Sequence, residues 1–337
     1  MGSIHQVAKR AGVSTATVSR ALSRPDLVSA ETRRTVLQAV KHLGYAPNSA
    51  AKHLRTRRSG NLLVTVPDIS NPFFSLILQG IEDEAQRRGY AVLLGDTQHD
   101  PKREARYAMM LMHKEADGLI FLGHRLPKPA AQLVRSLAPR YAPVVNGCEF
   151  SPRLGVPSVH IDNATAAAEA MDHLYRLGHR RIGIVTGPLV SPLSRDRLAG
   201  ATSRARAERA SHDLIVVHGD FSIEAGAVAA ERLLERAEPI PTAVFCFNDE
   251  MAMGVIETAR RLGVKVPRDL SVVGFDDIRY ARHLDPPLTT IAQPMREIGE
   301  GTVRMLADIL AGRTIAPVSV TLRHTLIVRA STARARA

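Results

Sequence analysis

Tryptophan is absent, aromatic residues make up only 4% of the chain, and there are two cysteines among 337 residues. Cys148 and Cys246 stand far apart, outside any CxxC or Cys/His ligand spacing. That excludes a disulfide framework and a zinc site and leaves buried free thiols as the expectation. No apolar stretch approaches the roughly eighteen residues of a membrane helix. The opening residues, Met1 to Arg10, hold no apolar leader, and Gln6 stands where a myristoylation motif wants Ser or Thr, so a cytoplasmic protein is expected. Enzyme signatures are missing as well. There is no GxGxxG opening a helix after a strand, no GKS/T phosphate loop, no HExxH and no GxSxG elbow, and the thirteen histidines are scattered. The chain is therefore not expected to be an enzyme, and no cofactor or metal is implied.

What is present is charge, unevenly placed. The first 60 residues hold eleven Lys and Arg against Asp26 and Glu31, a net of +9 out of +12 for the whole chain. A small basic head on a nearly balanced body points to a polyanionic partner, most simply nucleic acid. A membrane surface is the rival, but an interfacial helix wants bulky apolar residues opposite its charges, and this segment has neither Trp nor Phe. At about 150 residues per domain, the length suggests two domains with a small accessory module.

Within the head, Ile4, Val7, Ala8 and Ala11 recur at helical spacing, with Ser3 to cap the helix and Gly12 to end it. Ser14 opens a second helix with Val18, Ala21 and Leu22 inward, Val13 and Val18 being placed as a hydrophobic staple. A third runs from the Ser29 cap to Gly44, with Val36, Leu37, Val40 and Leu43 inward. The result is a three-helix unit fronted by a helix-turn-helix. On the second helix Thr15, Ala16, Ser19 and Arg20 face outward, with Thr17 at the side. Small and polar residues let a backbone approach a major groove, a Thr or Ala methyl can meet thymine, and Arg20 can bond guanine bidentately. The plain alternative is a solvated helix face.

The run Ile4-His5-Gln6-Val7-Ala8-Lys9-Arg10-Ala11-Gly12-Val13-Ser14-Thr15-Ala16-Thr17-Val18-Ser19-Arg20-Ala21-Leu22 resembles the DNA-binding signature of the lactose-repressor (LacI) family of bacterial transcription regulators. The resemblance continues through Gly44-Tyr45-Ala46-Pro47-Asn48 and along nearly the whole chain. It implies that Thr15 and Ala16 open the recognition helix, that Thr17 and Ser19 face phosphates or base edges, and that Arg20 reads a base. Residues 47–59 are too short and too basic for a stable lone helix, and a linker is the plain expectation. The resemblance instead implies a hinge helix that folds on the operator, with Ala51, Leu54 and Arg55 at its DNA contacts. Leu54, a lone large apolar residue among cations, is suited to wedge into the minor groove.

Beyond residue 60 the pattern changes to short apolar runs alternating with amphipathic helices: Leu62–Val66, Tyr90–Gly95 and Gly118–Leu122 as strands around helices Phe73–Arg88 and Pro101–Lys114. After Asp162 the pattern begins again. The fold class is a small all-α helix-turn-helix head plus an α/β body of two doubly wound halves. The expected boundaries are 1–46 for the head, 47–59 for the hinge, 60–161 with 291–320 for one half, and 162–290 with 321–331 for the other. Ligands in such sheets bind beyond the carboxyl ends of the strands. Three of only eight Phe, at 73, 74 and 221, fall in those loops beside Arg, Asn and Asp. A flat ligand with several hydroxyls suits that mixture, although Phe73 and Phe74 could equally pack a helix end into the core and Asp276 could cap a helix.

The family's effector domain is similar to periplasmic sugar-binding proteins, with two halves joined by three crossovers. By resemblance the effector residues are Phe73, Phe74, Arg197, Phe221, Asn248 and Asp276, with Gln293 on the final crossover. Within the family, Val66–Phe74, Leu122–Pro127, Glu149–Pro152 and Val159–Asn163 look closest to the cytidine-repressor branch, which implies a nucleoside effector; a sugar or purine is the alternative. Operator DNA, a second copy of the chain and a small effector are the expected partners, with another transcription regulator left open. Ser331–Ala337 carry no Leu heptads for a tetramer. A solute-binding protein of the same fold is the rival from another class, and the basic head argues against it.

Overall fold

The computed structural model describes residues 2–45, 58–210, 213–235, 240–316 and 318–336. The chain divides into two compact units, Met1–Ser59 and Gly60–Ala337. Ala51, Leu54 and Arg55, with most of the expected hinge, lie outside the described residues.

Helix signals at both ends decide the head. In α1 (Ile4–Ala11) the Ser3 hydroxyl accepts from the Gln6 amide while the Gln6 side chain accepts from the Ser3 amide, a reciprocal cap, and Gly12 closes the helix at φ +64°. Ser14 caps α2 (Thr15–Ser23), and Ser29 caps α3 (Ala30–Leu43). Val7, Ala8, Val18, Ala21, Val36 and Ala39 form the small core. One expectation fails, because Leu37 is 43% exposed. The inward stripe runs through Val36, Val40 and Leu43, and Leu37 sits about 100° round from Val36, on a side that so small a unit does not cover.

The body holds two sheets. The first comprises β1 (Asn61–Val66), β2 (Ala91–Asp96), β3 (Gly118–Phe121), β4 (Val144–Gly147), β5 (Ser158–Ile161) and β11 (Ser319–Leu322), in the order β11-β5-β4-β3-β1-β2 with every pairing parallel. The second comprises β6 (Ile182–Thr186), β7 (Leu214–His218), β8 (Ala243–Cys246), β9 (Ser271–Asp276), β10 (Thr289–Ala292) and β12 (Thr325–Ile327). Its order is β12-β10-β9-β8-β6-β7, parallel except where β12 joins β10. Helices α4 (Phe73–Arg87), α5 (Pro101–Met112), α6 (Lys128–Leu137) and α11 (Met295–Leu310) clothe the first sheet. Around the second lie α7 (Asn163–Arg176), α8 (Pro192–Ala207), α9 (Ile223–Glu235) and α10 (Asp249–Arg261). Covered on both faces, central strands such as β3, β6 and β8 are buried along their whole length, which is why they read as unbroken apolar runs. Both cysteines are buried and free. Among the described residues no helix is long and apolar enough to cross a membrane.

The chain crosses between lobes at residue 162, between β10 and α11, and between β11 and β12. The expected boundaries at 291 and 320/321 therefore move by one or two residues: β10 pairs with β9 as far as Ala292, and β11 pairs with β5 as far as Leu322. In each lobe the strand order reverses beside the first strand, between β1 and β3 and between β6 and β8, so the loops following those strands splay apart and open a crevice.

Helices α4 and α11 approach so closely that a Cβ at Gly80 would run into the Arg296 carbonyl oxygen, and one at Gly299 into that of Ile77. Gly80→Ala should destabilise the body by about 1–3 kcal/mol in urea unfolding. Wild-type stability in that variant would contradict the close helix contact.

Candidate ligand cleft and nucleic-acid interface

The outer face of α2 is short and polar. Ala16 and Arg20 are exposed, Thr15, Thr17 and Ser19 are half-buried, and the Thr17 hydroxyl is 2.9 Å from that of Ser14. The cap thus holds Thr17 at the start of the helix and leaves Arg20 free to reach outward. No carboxylate lies in the first turn of α1 or of α2, while Lys9, Arg10 and Arg20 stand in their last turns, so both helices are free of negative charge at the N-terminus and carry cations a polyanion can meet.

Between the two lobes of the body lies a cleft of about 820 Å³, walled by loops that follow the strands of both sheets. Phe73, Phe74, Arg197, Phe221, Asn248 and Asp276 all line it. Phe73 and Phe74 meet edge to face, ring centroids 5.1 Å apart, and belong also to the first lobe's core, so packing into the core and lining the cleft coexist. Phe221 faces them from the other lobe. Its backbone is held at φ +78°, its ring covers Gly187, and its carbonyl accepts from Asn248 Nδ2 at 2.8 Å. Asn248 caps α10 with its other side-chain atom. Gln293 does not line the cleft but stands behind it, donating from Nε2 to Asp276 Oδ1 at 2.7 Å.

Arg197 is the most constrained group in the cleft, being 3% exposed. Its Nε donates to Asn163 Oδ1 at 2.8 Å, Nη1 donates to the Phe247 carbonyl, Nη2 lies 3.7 Å from Asp276 Oδ1, and the guanidinium stacks 3.5 Å over the Phe275 ring. Burial lowers its pKa to about 10, with Asp276 and Glu149 opposing the shift. Burial pushes Asp276 up to about 7 against the pull of Arg197 and the Gln293 hydrogen bond. Glu250 rises to about 7 through burial and then through Asp276, Asp68 and Glu224. Asp276 adopts φ +113°, a strained backbone that its hydrogen-bonded surroundings hold in place.

Several cleft residues were not singled out from the sequence: His124, Arg125, Glu149, Ser191 and Glu250. His124, Arg125 and Glu149 fall within the Leu122–Pro127 and Glu149–Pro152 motifs that carry the subfamily resemblance, and beyond that the signal is positional. His124 and Arg125 follow β3, Glu149 follows the four-residue β4, and Ser191 precedes α8, all at carboxyl ends of strands. Ser191 of one lobe donates to Glu149 Oε2 of the other at 2.6 Å, and His124 Nδ1 lies 3.6 Å from the same oxygen. Lining carboxylates (Asp68, Glu149, Asp220, Glu224, Glu250 and Asp276) outnumber the guanidiniums of Arg125 and Arg197. A neutral, hydroxyl-bearing ligand fits this field and a phosphorylated one does not.

Because Asp276 binds its proton more tightly folded, with a pKa of about 7 against an ordinary 3.8, its contribution to stability is largest at low pH and declines as pH rises between those values. The decline has a limiting slope of about 1.4 kcal/mol per pH unit. Asp276→Asn should flatten the fall in unfolding free energy over this window. Parallel curves for the two proteins would refute the raised pKa.

Residues 3–48 match the model of the bacterial regulatory proteins of the lacI family, and residues 171–332 match that of the periplasmic binding protein-like domain. The HTH-type transcriptional repressor CytR of Escherichia coli (strain K12) is 44% identical over 327 residues, covering 97% of this chain and 95% of that protein. Catabolite control protein A of Priestia megaterium is 35% identical, covering 98% of each. Among solved structures, the Lac repressor dimer bound to operator and the anti-inducer ONPF superposes with a TM-score of 0.88 at 28% identity, covering 98% of this chain and 99% of that one. A complex of the transcriptional regulator CelR with cellobiose gives 0.72 at 31% identity, covering 98% and 100%. With a helix-turn-helix head, two parallel-sheet lobes around a cleft and relatives of this kind along its length, the chain belongs to the LacI family of DNA-binding transcription regulators.

Proposed function

We propose that this regulator acts as a homodimeric repressor whose hold on its operator is set by a neutral nucleoside bound between the lobes. The observation that carries the ligand is the pairing of aromatic faces with a buried bidentate reader: Phe73, Phe74 and Phe221 offer surfaces for a flat base, while Arg197 and Asp276 offer a donor fork and an acceptor for vicinal hydroxyls. The surplus of carboxylates in the cleft disfavours a nucleotide. All of these groups bind and orient, and none is arranged as nucleophile and base, so the role is regulation and not catalysis.

Dimerisation has support of two kinds. One three-helix head offers too little surface for tight, specific binding, and two heads on half-sites about one helical turn apart supply it. Among the described residues the body also has sheet edges with no neighbouring strand at β2 and β7, with Leu94 and Val216 exposed on them. In this account Thr15, Ala16, Thr17, Ser19 and Arg20 read the major groove, Ala51, Leu54 and Arg55 engage the minor groove, and the protein works in the cytoplasm on chromosomal DNA.

Arg20→Ala should erase the preference for operator over random DNA in a gel-shift titration while leaving nucleoside binding intact. Retained discrimination would remove Arg20 from base reading. Calorimetry of the free protein with cytidine, adenosine, ribose and a hexose panel tests the effector. A nucleoside should bind, Asp276→Ala should abolish that binding, and tight binding of a hexose with no nucleoside bound would overturn the assignment. Leu54→Ala should reduce the operator bend, and an unchanged bend would dismiss the wedge.

A further inference from the structure

The lobe built on the second sheet gathers cations at the end opposite the cleft. Four stretches of chain meet there, at the amino ends of the parallel strands: residues 172–181 lead into β6, 204–213 into β7 and 265–269 into β9, while 331–336 follow β12. Together they hold ten Lys and Arg against four Asp and Glu, a net of +6, whereas residues 61–337 as a whole carry only +3. The rest of the body is therefore net negative, and this end differs from it in sign.

Ion pairs and hydrogen bonds hold the stretches side by side. Asp172 is shared by Arg176 at 2.5 Å and Arg204 at 2.7 Å, and Asp269 by Arg268 at 2.7 Å and Arg336 at 3.0 Å. The C-terminal segment is tied across them. The Ala335 amide donates to the Leu177 carbonyl at 2.8 Å, and the Ala333 carbonyl accepts from His179 Nε2 at 3.0 Å and from the Ser271 hydroxyl at 3.2 Å. Beneath lies the buried ring of Tyr175, with the guanidiniums of Arg180 and Arg204 at 5.8 and 5.5 Å from its centroid. The paired carboxylates Asp172, Glu208 and Asp269 are half-buried, while Arg176, Arg180 and Arg336 are exposed. Arg206, Arg209 and Arg334 are exposed too, and they have no carboxylate partner among the described residues. Anything approaching this face meets cations first.

The composition of the face selects its partner. No large apolar side chain is exposed within the four stretches, although a protein interface is built around aromatic or aliphatic anchors. A phosphodiester backbone needs only positive charge and forked donors, and nine of the ten cations are Arg, whose fork matches phosphate. We infer that this arginine face binds a second DNA duplex through its phosphates, without regard to sequence, while the helix-turn-helix head holds the operator. The head already brings the chain to DNA, so the concentration of duplex around the body is high and weak phosphate contacts suffice.

The test uses the full-length protein loaded stoichiometrically with unlabelled operator and titrated against a fluorescently labelled duplex of random sequence. Anisotropy should report binding of the second duplex at about 50 mM salt, weakening steeply by about 200 mM. Reversing three charges together, Arg206→Glu with Arg209→Glu and Arg334→Glu, should weaken the second duplex at least about 10-fold and reduce the slope of log affinity against log salt by roughly 2.7, at about 0.9 per lost contact. Operator affinity should stay at the unmutated level, which also certifies the fold. The milder set Arg206→Gln, Arg209→Gln and Arg334→Gln should shift affinity and slope in the same direction, and the corresponding Lys set should leave both close to the unmutated protein. An operator complex that captures no second duplex at about 50 mM salt would overturn the inference. So would Glu and Gln sets that bind the second duplex as tightly as the unmutated protein. Displacement of the labelled duplex by polyglutamate as effectively as by unlabelled duplex of equal charge would assign the face to an acidic protein and overturn it as well.

Discussion

A guanidinium removed from water is the constraint around which the cleft is built. An isolated buried Arg is strongly disfavoured, so every direction around Arg197 has to answer for its charge or its donors. Asn163 at the start of α7 takes Nε, the Phe247 carbonyl at the end of β8 takes Nη1, Phe275 supports the plane, and Asp276 supplies the counter-charge. That one side chain fixes the ends of two strands and the first residue of a helix. The Arg197–Asp276 pair is a poor source of stability, since the same burial that brings the two together raises the pKa of Asp276 to about 7; in the proposed function it serves instead to align the ligand.

The geometry of the pair also explains how a small ligand can influence the whole molecule. Asn163 directly follows the first crossover, and Gln293, which bonds Asp276, stands on the second. A ligand that engages Arg197 and Asp276 therefore acts on groups bonded to two of the three chain passages between lobes, while Ser191 and Glu149 join the lobes across the mouth. Closure of the lobes is a discrete rearrangement of packed elements, and a ligand that prefers one arrangement shifts the population toward it by its differential affinity.

Much of this was legible in the sequence because local chemistry announces it. Ser3 with Gly12, Ser14, and Ser29 with Gly44 bracket the head helices, since caps are local and strong. The cleft residues Phe221, Asn248 and Asp276 could be placed because alternating strands and helices identify the strand ends, where an α/β fold puts its ligand. What escaped depended on distance in sequence or on brevity. Glu149 follows a strand of four residues whose periodicity is too short to stand out, and its partner Ser191 lies 42 residues away. Gln293 lies on the expected crossover but stands behind the cleft, bonded to Asp276, a contact that no spacing rule reveals. Periodicity sets Leu37 inward because it names a stripe without saying how wide a cover the neighbouring helices provide.

In the proposed function, one nucleoside and one operator compete for, or jointly favour, the same arrangement of lobes. That coupling is tested most directly by measuring operator affinity with and without saturating cytidine, by fluorescence anisotropy, and cytidine affinity with and without operator, by calorimetry. Linkage requires the two ratios to be equal, and typical coupling would make them about 5- to 150-fold in either direction. Operator affinity that does not move when the cleft is saturated would rule out coupling between cleft and operator.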